Sequence, residues 1–435
     1  MMRLPRCITT LRRPSQISAP CPPHEPCMRN GRAIVLSDYI GGEGSNSGGA
    51  GHAAFDSYRA LRAAGVDIRV ITGFGALAVE TDRFTTLNGH DLRDGTRADT
   101  LRAIYNPQAR DALEVALTGE NPDTTLVILH QWTRYLSPAA VGIADRYPTM
   151  VYMHDYFWAC PNGLYYDFRQ QRPCDRRPMR ARCLAADCDR QGRVQKVGRV
   201  VRQAALQAAT RSDPARRLFL HLSEHAQRTA APLLPGERHA IIHNPLPMPV
   251  AASPTPTPRY DVGYFGRLEI DKGIGPLIDA VAQAGLSGLF VGQGSLEPAL
   301  VRTPGIEHRA WQPREAMAAA MRSCAVVVLP SLWHETWGLI VPEAMAAGVP
   351  VLVSARAGSA ELVRRFGGGA TFDPGQHGDL EAKLAMLLAE APAPTVMRDQ
   401  LRTLLSPERH AARIVALAER KFGLDLRAAD RRVTR

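Results

Sequence analysis

Two short apolar runs with two glutamates between them constrain the fold of this 435-residue chain more than any other feature. The runs AVVVL and VPVLV, within residues 323–363, are typical of strands buried on both faces of a parallel sheet. The segment GLIVPEAMAAG between them predicts a crossover helix that ends at Gly348. Glu335 then lies in the loop after the first strand, and Glu343 lies about two helical turns further on. Open α/β sheets bind ligands at such loops, outside the carboxyl ends of their strands.

The same alternation of strands and helices runs through most of the chain. Strands are predicted at 33–37, 68–72, 126–130, 149–153, 218–222, 240–243 and 261–265. Helices are predicted at 51–64, 137–147, 194–210, 224–233, 274–284, 314–322 and 407–422. We therefore predict an α/β fold with two doubly wound domains that face a cleft.

Composition shifts mark the domain boundaries. The run NPLPMPVAASPTPTP continues neither a helix nor a strand and is typical of a linker. The predicted segments are a disordered basic tail (1–32), a first domain (33–244) with a cysteine-bearing insertion (160–190), a linker (245–258), a second domain (259–405) and a helix that packs back on the first domain (406–425). Translation from Met1 and translation from Met28 both stay open.

The distribution of charge suggests where the protein acts. No apolar run is long enough to cross a bilayer, and the basic, proline-rich N-terminus lacks a signal-peptide core. Eight cysteines without a secretion signal indicate a reducing cytoplasm. Residues 169–217 hold fourteen Lys or Arg and four Asp, a net charge of +10. This stretch predicts either an anionic membrane surface on the inner face, an anionic acceptor or nucleic acid as partner, or a solvated helical face.

Nucleic acid is the weakest of these partners, and we do not expect it. Binding of single strands needs aromatic side chains interleaved with the basic ones. The basic stretch is accompanied only by Tyr165, Tyr166 and Phe168.

A glycine-rich loop follows the first predicted strand. Gly41 and Gly42 begin it, and a helix follows, an arrangement in which backbone N–H groups can approach a phosphate. The spacing is not that of the GxGxxG dinucleotide fingerprint.

Several motifs resemble the retaining glycosyltransferases of family 4, which have the GT-B fold of two Rossmann-like domains facing a cleft. The strongest is E-x7-E, from Glu335 to Glu343, and the second is YFGRLEIDKGIGPLI at residues 264–278. Weaker matches are the glycine-rich loop and the motifs MHD (153–155), HNP (243–245) and VGQG (291–294). The resemblance covers roughly residues 33–425.

The resemblance implies a donor site for a nucleotide sugar, in which the leaving diphosphate needs fixed cations and backbone dipoles. Arg267 and Lys272 are the expected cations; the alternative is a surface ion pair of Lys272 with a neighbouring acid. By the same resemblance, Glu343 accepts hydrogen bonds from the ribose hydroxyls and Glu335 lies beside the donor sugar. The expected diphosphate-binding amides are those of Trp337, Gly338 and Leu339.

The resemblance also places His154 of the MHD motif near the donor sugar and the acceptor. The implied activity is transfer of a hexose from a UDP- or GDP-sugar to a glycan or lipid-linked acceptor, with retention, in polysaccharide or glycolipid biosynthesis. The expected catalytic residues are His154, Glu335, Arg267 and Lys272, and no cofactor is required. A nucleotide-sugar epimerase or hydrolase of the same fold is the alternative.

Four cysteines in the insertion have the count for a tetrahedral zinc site, but their spacing matches no standard zinc motif. A structural zinc and unpaired reduced thiols both stay open. The cysteines are Cys160, Cys174, Cys183 and Cys188.

Overall fold

The structure, a computed structural model, describes residues 28–41, 48–75, 83–92, 95–210, 213–247, 258–390 and 397–427. Within them the chain forms two α/β domains, each built on one parallel sheet with helices packed against it. The predicted fold class, two doubly wound α/β domains, is confirmed. Residues 1–27 of the predicted tail, Gly42 and most of the predicted linker 245–258 lie outside the described residues.

Both sheets have a doubly wound strand order. The strands are β1 (Arg29–Asn30), β2 (Arg32–Ser37), β3 (Ile68–Thr72), β4 (Phe84–Thr86), β5 (Thr125–Leu129), β6 (Thr149–Met153), β7 (Tyr166–Asp167), β8 (Arg172–Pro173), β9 (Arg217–His221), β10 (His239–Ile241), β11 (Tyr260–Phe265), β12 (Gly288–Val291), β13 (Ile306–Arg309), β14 (Cys324–Leu329), β15 (Val351–Ser354), β16 (Gly369–Phe372) and β17 (Leu424–Asp425). The first sheet runs β10-β9-β6-β5-β2-β3-β4 and the second runs β13-β12-β11-β14-β15-β16.

The order of each sheet reverses beside its first strand, between β2 and β5 and between β11 and β14. These reversals are where open α/β sheets bind ligands, at the carboxyl ends of the strands. Every residue of β5, β6 and β9 is buried, which explains their continuous apolar runs. The two reversals therefore position a site between the domains.

The helices cover both faces of the sheets. They are α1 (Gly48–Ala63), α2 (Arg97–Ile104), α3 (Pro107–Ala116), α4 (Ser137–Ala144), α5 (Ala181–Ala185), α6 (Arg193–Ala209), α7 (Glu224–Ala230), α8 (Ile274–Gln283), α9 (Glu297–Arg302), α10 (Arg314–Arg322), α11 (Ile340–Ala346), α12 (Ala360–Phe366), α13 (Asp379–Ala389), α14 (Met397–Leu404) and α15 (Pro407–Phe422). Within the described part of the chain, none of them combines the length and apolar character needed to span a membrane.

The last helix returns to the first domain. In α15, the imidazole of His410 lies 2.9 Å from the Ser57 hydroxyl of α1 and 3.1 Å from the Tyr152 hydroxyl of β6. Strand β17 then pairs with β1, so residues 29–30 are part of a small sheet. The boundary predicted for the tail at residue 32 is therefore too late.

The two domains also touch through short polar contacts. The Thr336 hydroxyl donates to the carbonyl of His154 at 2.9 Å, and the Ser223 hydroxyl donates to the carbonyl of Thr336 at 2.9 Å. The Glu361 carboxylate in α12 accepts a hydrogen bond from the N–H of Glu224 in α7 at 3.1 Å. These contacts join the loop that contains Glu335, and the helix α12, to the first domain.

Truncation of Ile414 tests the packing of α15. Ile414 is fully buried, so Ile414→Ala should lower the free energy of unfolding by about 2–4 kcal/mol through lost burial and the cavity left behind. Urea denaturation measures the change. The neighbouring exposed residue provides the control: Arg413→Ala should change stability by less than about 0.5 kcal/mol. Equal effects of the two substitutions would contradict the packing described.

A pH dependence is expected at Glu361. Burial raises the pKa of this carboxyl to about 7 from an ordinary value of 4.5, so the folded state keeps its proton to higher pH than the unfolded state. The stability that this proton contributes is fully present below pH 4.5 and is lost as the pH rises through about 7. Glu361→Gln should therefore gain stability relative to the parent between pH 5 and pH 8, by on the order of 1–3 kcal/mol in urea denaturation. The control Glu381→Gln, at an exposed residue, should show no such trend. If the free energy of unfolding of Glu361→Gln changed with pH in parallel with that of the parent, the raised pKa of Glu361 would be refuted.

Candidate active site between the two domains

The predicted strand–loop–helix–strand unit is present as β14, a loop, α11 and β15, with β14 and β15 paired in parallel. Glu335 lies in the loop, and Glu343 lies in the first turn of α11, half-buried. Gly338 has a φ of 94°, and a Cβ there would lie 2.4 Å from the Leu329 side chain. Only glycine fits this turn without strain.

Glu335 is a buried carboxylate held by three donors. Its Oε2 atom accepts hydrogen bonds from Lys272 Nζ at 2.6 Å, Ser331 Oγ at 2.7 Å and Trp333 Nε1 at 3.1 Å. Burial alone would raise the pKa of Glu335, but the Lys272 ammonium outweighs it, and the pKa is lowered. The site therefore holds an ionised carboxylate at neutral pH.

Lys272 reaches Glu335 because two loops approach very closely. The ammonium also lies 5.0 Å from the centre of the Trp333 ring. Lys272 ends a single turn of 3-10 helix after β11, and Gly273 follows it with a φ of 74°. A Cβ on Gly273 would lie 1.9 Å from the carbonyl oxygen of Pro330, so a side chain there would force the loops apart. Lys272 thus makes its ion pair across the site and not with a neighbouring surface acid.

Arg267 lies at the edge of the same loop. Its guanidinium is 53% exposed and lies 3.7 Å from the fully buried Asp271 carboxylate. Arg190, from the cysteine-bearing insertion, also pairs with Asp271 and lies 3.2 Å from Glu269. The first domain therefore contacts the cation-bearing loop of the second. Sequence reasoning missed Arg190, because nothing in its local pattern indicates a partner 81 residues away.

The N-terminus of α11 faces the glycine-rich segment of the first domain. A Cβ on Gly49 in α1 would lie 3.0 Å from the side chain of Leu339. Gly41 donates its N–H to the carbonyl of Gly51 at 3.0 Å, which anchors the start of the loop to α1. Among the described residues, the N–H groups of Trp337, Gly338 and Leu339 have no acceptor. These amides are available to an anion.

His154 follows β6 and forms part of the opposite wall. Its Nε2 lies 2.9 Å from Nδ1 of His130, which follows the neighbouring strand β5. Burial lowers the pKa of His154 to about 4, so its imidazole is neutral near pH 7. His130 was missed in the sequence because a single histidine after a strand carries no signal of its own.

The cysteine cluster does not have the form of a metal site. In α6 the buried Lys196 ammonium lies 3.2 Å from Cys188 Sγ and 3.6 Å from Cys183 Sγ. An ammonium between two sulfurs repels a metal cation from the same space. No group of three or more ligands suited to a metal occurs in the part of the chain that the structure describes. In this arrangement Cys160, Cys174, Cys183 and Cys188 do not form a metal site, and the structural zinc stays a prediction.

Comparison with solved structures shows the fold of known glycosyltransferases. Sucrose-phosphate synthase from Thermosynechococcus elongatus superposes with a TM-score of 0.63 at 18% identity, over 90% of this chain and 99% of that chain. Anabaena HepE, solved with UDP and glucose, superposes with a TM-score of 0.62 at 16% identity, over 89% of this chain and 100% of that chain. WaaG, a glycosyltransferase involved in lipopolysaccharide biosynthesis, superposes with a TM-score of 0.54 at 16% identity, over 88% of this chain and 99% of that chain.

Sequence comparison is informative for the second domain. No curated protein matches the chain. Residues 250–403, which contain Arg267, Lys272, Glu335 and Glu343, match the family described as glycosyl transferases group 1. The chain therefore has the two-domain GT-B fold, and its second domain is similar in sequence to the group 1 glycosyl transferases.

Proposed function

We propose that the protein is a retaining glycosyltransferase that moves a hexose from a UDP- or GDP-sugar to an acceptor hydroxyl in polysaccharide or glycolipid biosynthesis. The observation that carries the proposal is the Lys272–Glu335 pair, which places a fixed cation and an ionised carboxylate between two domains of GT-B type. HepE was solved with UDP and with UDP-glucose, so UDP-glucose is the first donor to test.

Each charged group of the site has a chemical task in this proposal. The diphosphate leaves with negative charge, which Lys272 and Arg267 neutralise together with the free amides of residues 337–339. Glu343 accepts hydrogen bonds from the ribose hydroxyls, and Glu335 orients a hydroxyl of the donor sugar. Lys272 then exchanges part of its contact with Glu335 for contact with phosphate. His154 hydrogen-bonds a sugar hydroxyl from the opposite wall.

The state of Glu335 supports substitution on one face of the sugar without a protein nucleophile. Its Oε2 accepts three hydrogen bonds, which weaken this oxygen as a nucleophile. The two-carboxylate arrangement of retaining glycosidases is not part of the proposal. The leaving diphosphate is the natural acceptor of the proton from the incoming hydroxyl.

Substitution of Lys272 tests the donor site. Lys272→Ala should lower kcat/KM for sugar transfer by about 10²–10³, because it removes a fixed cation from the leaving group and leaves Glu335 buried without its counter-charge. Transfer from UDP-glucose and from GDP-mannose into a membrane extract measures it. Lys421→Ala, at an exposed lysine in α15, is the matched control and should be unaffected. Unchanged transfer by Lys272→Ala would rule out the proposed site, and nucleotide release without any glycosidic product would favour hydrolysis.

We also propose that the first domain binds anionic membranes, which hold lipid-linked acceptors. Three valines lie exposed along α6: Val194 at 80%, Val197 at 60% and Val201 at 49%. The neighbouring helix α2 exposes Leu101, and Tyr105 directly after this helix is exposed as well. Among the described ion pairs, none includes the exposed arginines 177, 180, 182 and 193 of the same stretch. Exposed apolar side chains in a stretch of the chain with unpaired cations are complementary to an anionic lipid surface.

Flotation with vesicles tests this membrane surface. The protein should float with vesicles containing phosphatidylserine at 0.1 M salt and be released at 1 M salt, because salt screens the arginines. The double variant Val194→Asp with Val197→Asp should float several-fold less. Val301→Asp, at an equally exposed valine in α9 of the second domain, should float like the parent. Absence of binding at low salt would refute the proposal.

A further inference from the structure

Two histidines at the carboxyl ends of β5 and β6 contact each other through their ring nitrogens. His130 Nδ1 and His154 Nε2 are 2.9 Å apart. The His130 ring stacks on the Tyr152 ring with centres 4.2 Å apart, and it is 3% exposed. His154 is only part-buried. The inner histidine is therefore held rigidly, while the outer one faces the site.

Both rings are neutral, so their contact contains a single hydrogen. Burial lowers the pKa of His130 well below its ordinary value and that of His154 to about 4. A neutral imidazole carries its hydrogen on only one of its two nitrogens. The hydrogen of the contact therefore belongs either to His130 Nδ1 or to His154 Nε2.

The second nitrogen of His130 decides between these arrangements. His130 Nε2 is buried and has no partner among the described residues. If His154 donated, this buried nitrogen would carry a hydrogen without an acceptor. If His130 donates from Nδ1, its Nε2 carries no hydrogen and is only an acceptor. Buried acceptors without a donor are less rare than buried N–H groups without an acceptor. The second arrangement has the lower free energy.

We infer that His130 is a positioning residue, which donates its Nδ1 hydrogen to His154 Nε2 and so keeps the hydrogen of His154 on Nδ1. The only side-chain hydrogen bond of His154 within the described parts of the chain is the one through Nε2, so its Nδ1 is open to a ligand. The inference rests on the proposed function for its consequence: His154 presents a donor, which selects a lone pair of a sugar hydroxyl oxygen. With the other tautomer it would present an acceptor there.

The wider contacts of the pair explain why the ring of His130 stays in place. The hydroxyl of Tyr152, on which it stacks, lies 3.1 Å from His410 Nε2 in α15. His410 in turn contacts the Ser57 hydroxyl at 2.9 Å and, through Nδ1, the carbonyl of His243 at 2.9 Å. The returning C-terminal helix thus supports the inner face of the histidine pair.

The decisive measurement is the tautomer of His154, read by nitrogen-15 NMR of the imidazole rings in the full-length protein. Comparison with His154→Phe assigns its signals. In the parent protein, His154 should carry its hydrogen on Nδ1. In His130→Leu, the hydrogen of His154 should move to Nε2, because Nε2 no longer accepts a hydrogen bond from residue 130. A hydrogen on Nε2 in the parent, or no shift in His130→Leu, would overturn the inference.

Transfer activity provides the second readout. His130→Leu should lower kcat/KM by about tenfold, the worth of one hydrogen bond, while His130→Asn should stay within about threefold because its amide N–H replaces Nδ1–H. His221→Leu is the matched control: His221 is buried, pairs with His239 at 2.9 Å and also has an unpartnered nitrogen. It should lose stability but keep its transfer rate per folded molecule.

The outcomes separate this inference from the proposed function. If no sugar is transferred by any variant, the proposed function fails, and the tautomer of His154 still decides the role of His130. If the parent transfers sugar and His130→Leu does so at the same rate, the positioning role is wrong. Rescue by His130→Asn together with the tautomer shift establishes it.

Discussion

The contact on which this site depends is the ion pair between Lys272 and Glu335. It joins the loops that follow β11 and β14, the two central strands of the second sheet. A buried charge without its partner costs several kcal/mol, so neither residue is stable alone in this position. The loops can approach closely enough only because Gly273 has no side chain to meet the carbonyl of Pro330. The pair therefore fixes the two loops relative to each other and positions the Lys272 ammonium that the proposed reaction uses.

The first domain is connected to this pair by side chains from three separate segments. Thr336, next to Glu335, donates to the carbonyl of His154, and Arg190 pairs with the acids that precede Lys272. From behind, α15 packs against α1 and supports Tyr152 and the histidine pair. A shift of one domain against the other would break polar contacts on both walls. The position of the first domain, with His154, is consequently coupled to that of the Lys272–Glu335 pair in the second domain.

Much of the fold could be predicted from local patterns, since a strand buried on both faces must be continuously apolar and a crossover helix must be amphipathic. The bounds of α10 and α15 agree with the prediction to the residue. The short strand β4, the β7–β8 hairpin and the helix α2 were missed, because they are short and have no such period. The helix α3 was missed although Asn106 caps its start and its buried residues Ala109 and Leu113 lie one turn apart. The surroundings of the cysteines could not be predicted for a related reason: their spacing does not reveal that Lys196 lies between two of their sulfurs.

The sequence by itself determined the two doubly wound domains and the loop that contains Glu335, because these follow from apolar periodicity over a few residues. Only the tertiary structure decided which groups meet: Lys272 with Glu335, Arg190 with Asp271, and His130 with His154. Such pairs form where separate strands end at the same edge of a sheet or where two domains touch. The physical reason is that a local pattern specifies which face of an element is buried, whereas a polar contact depends on the partner that packing brings within 3 Å.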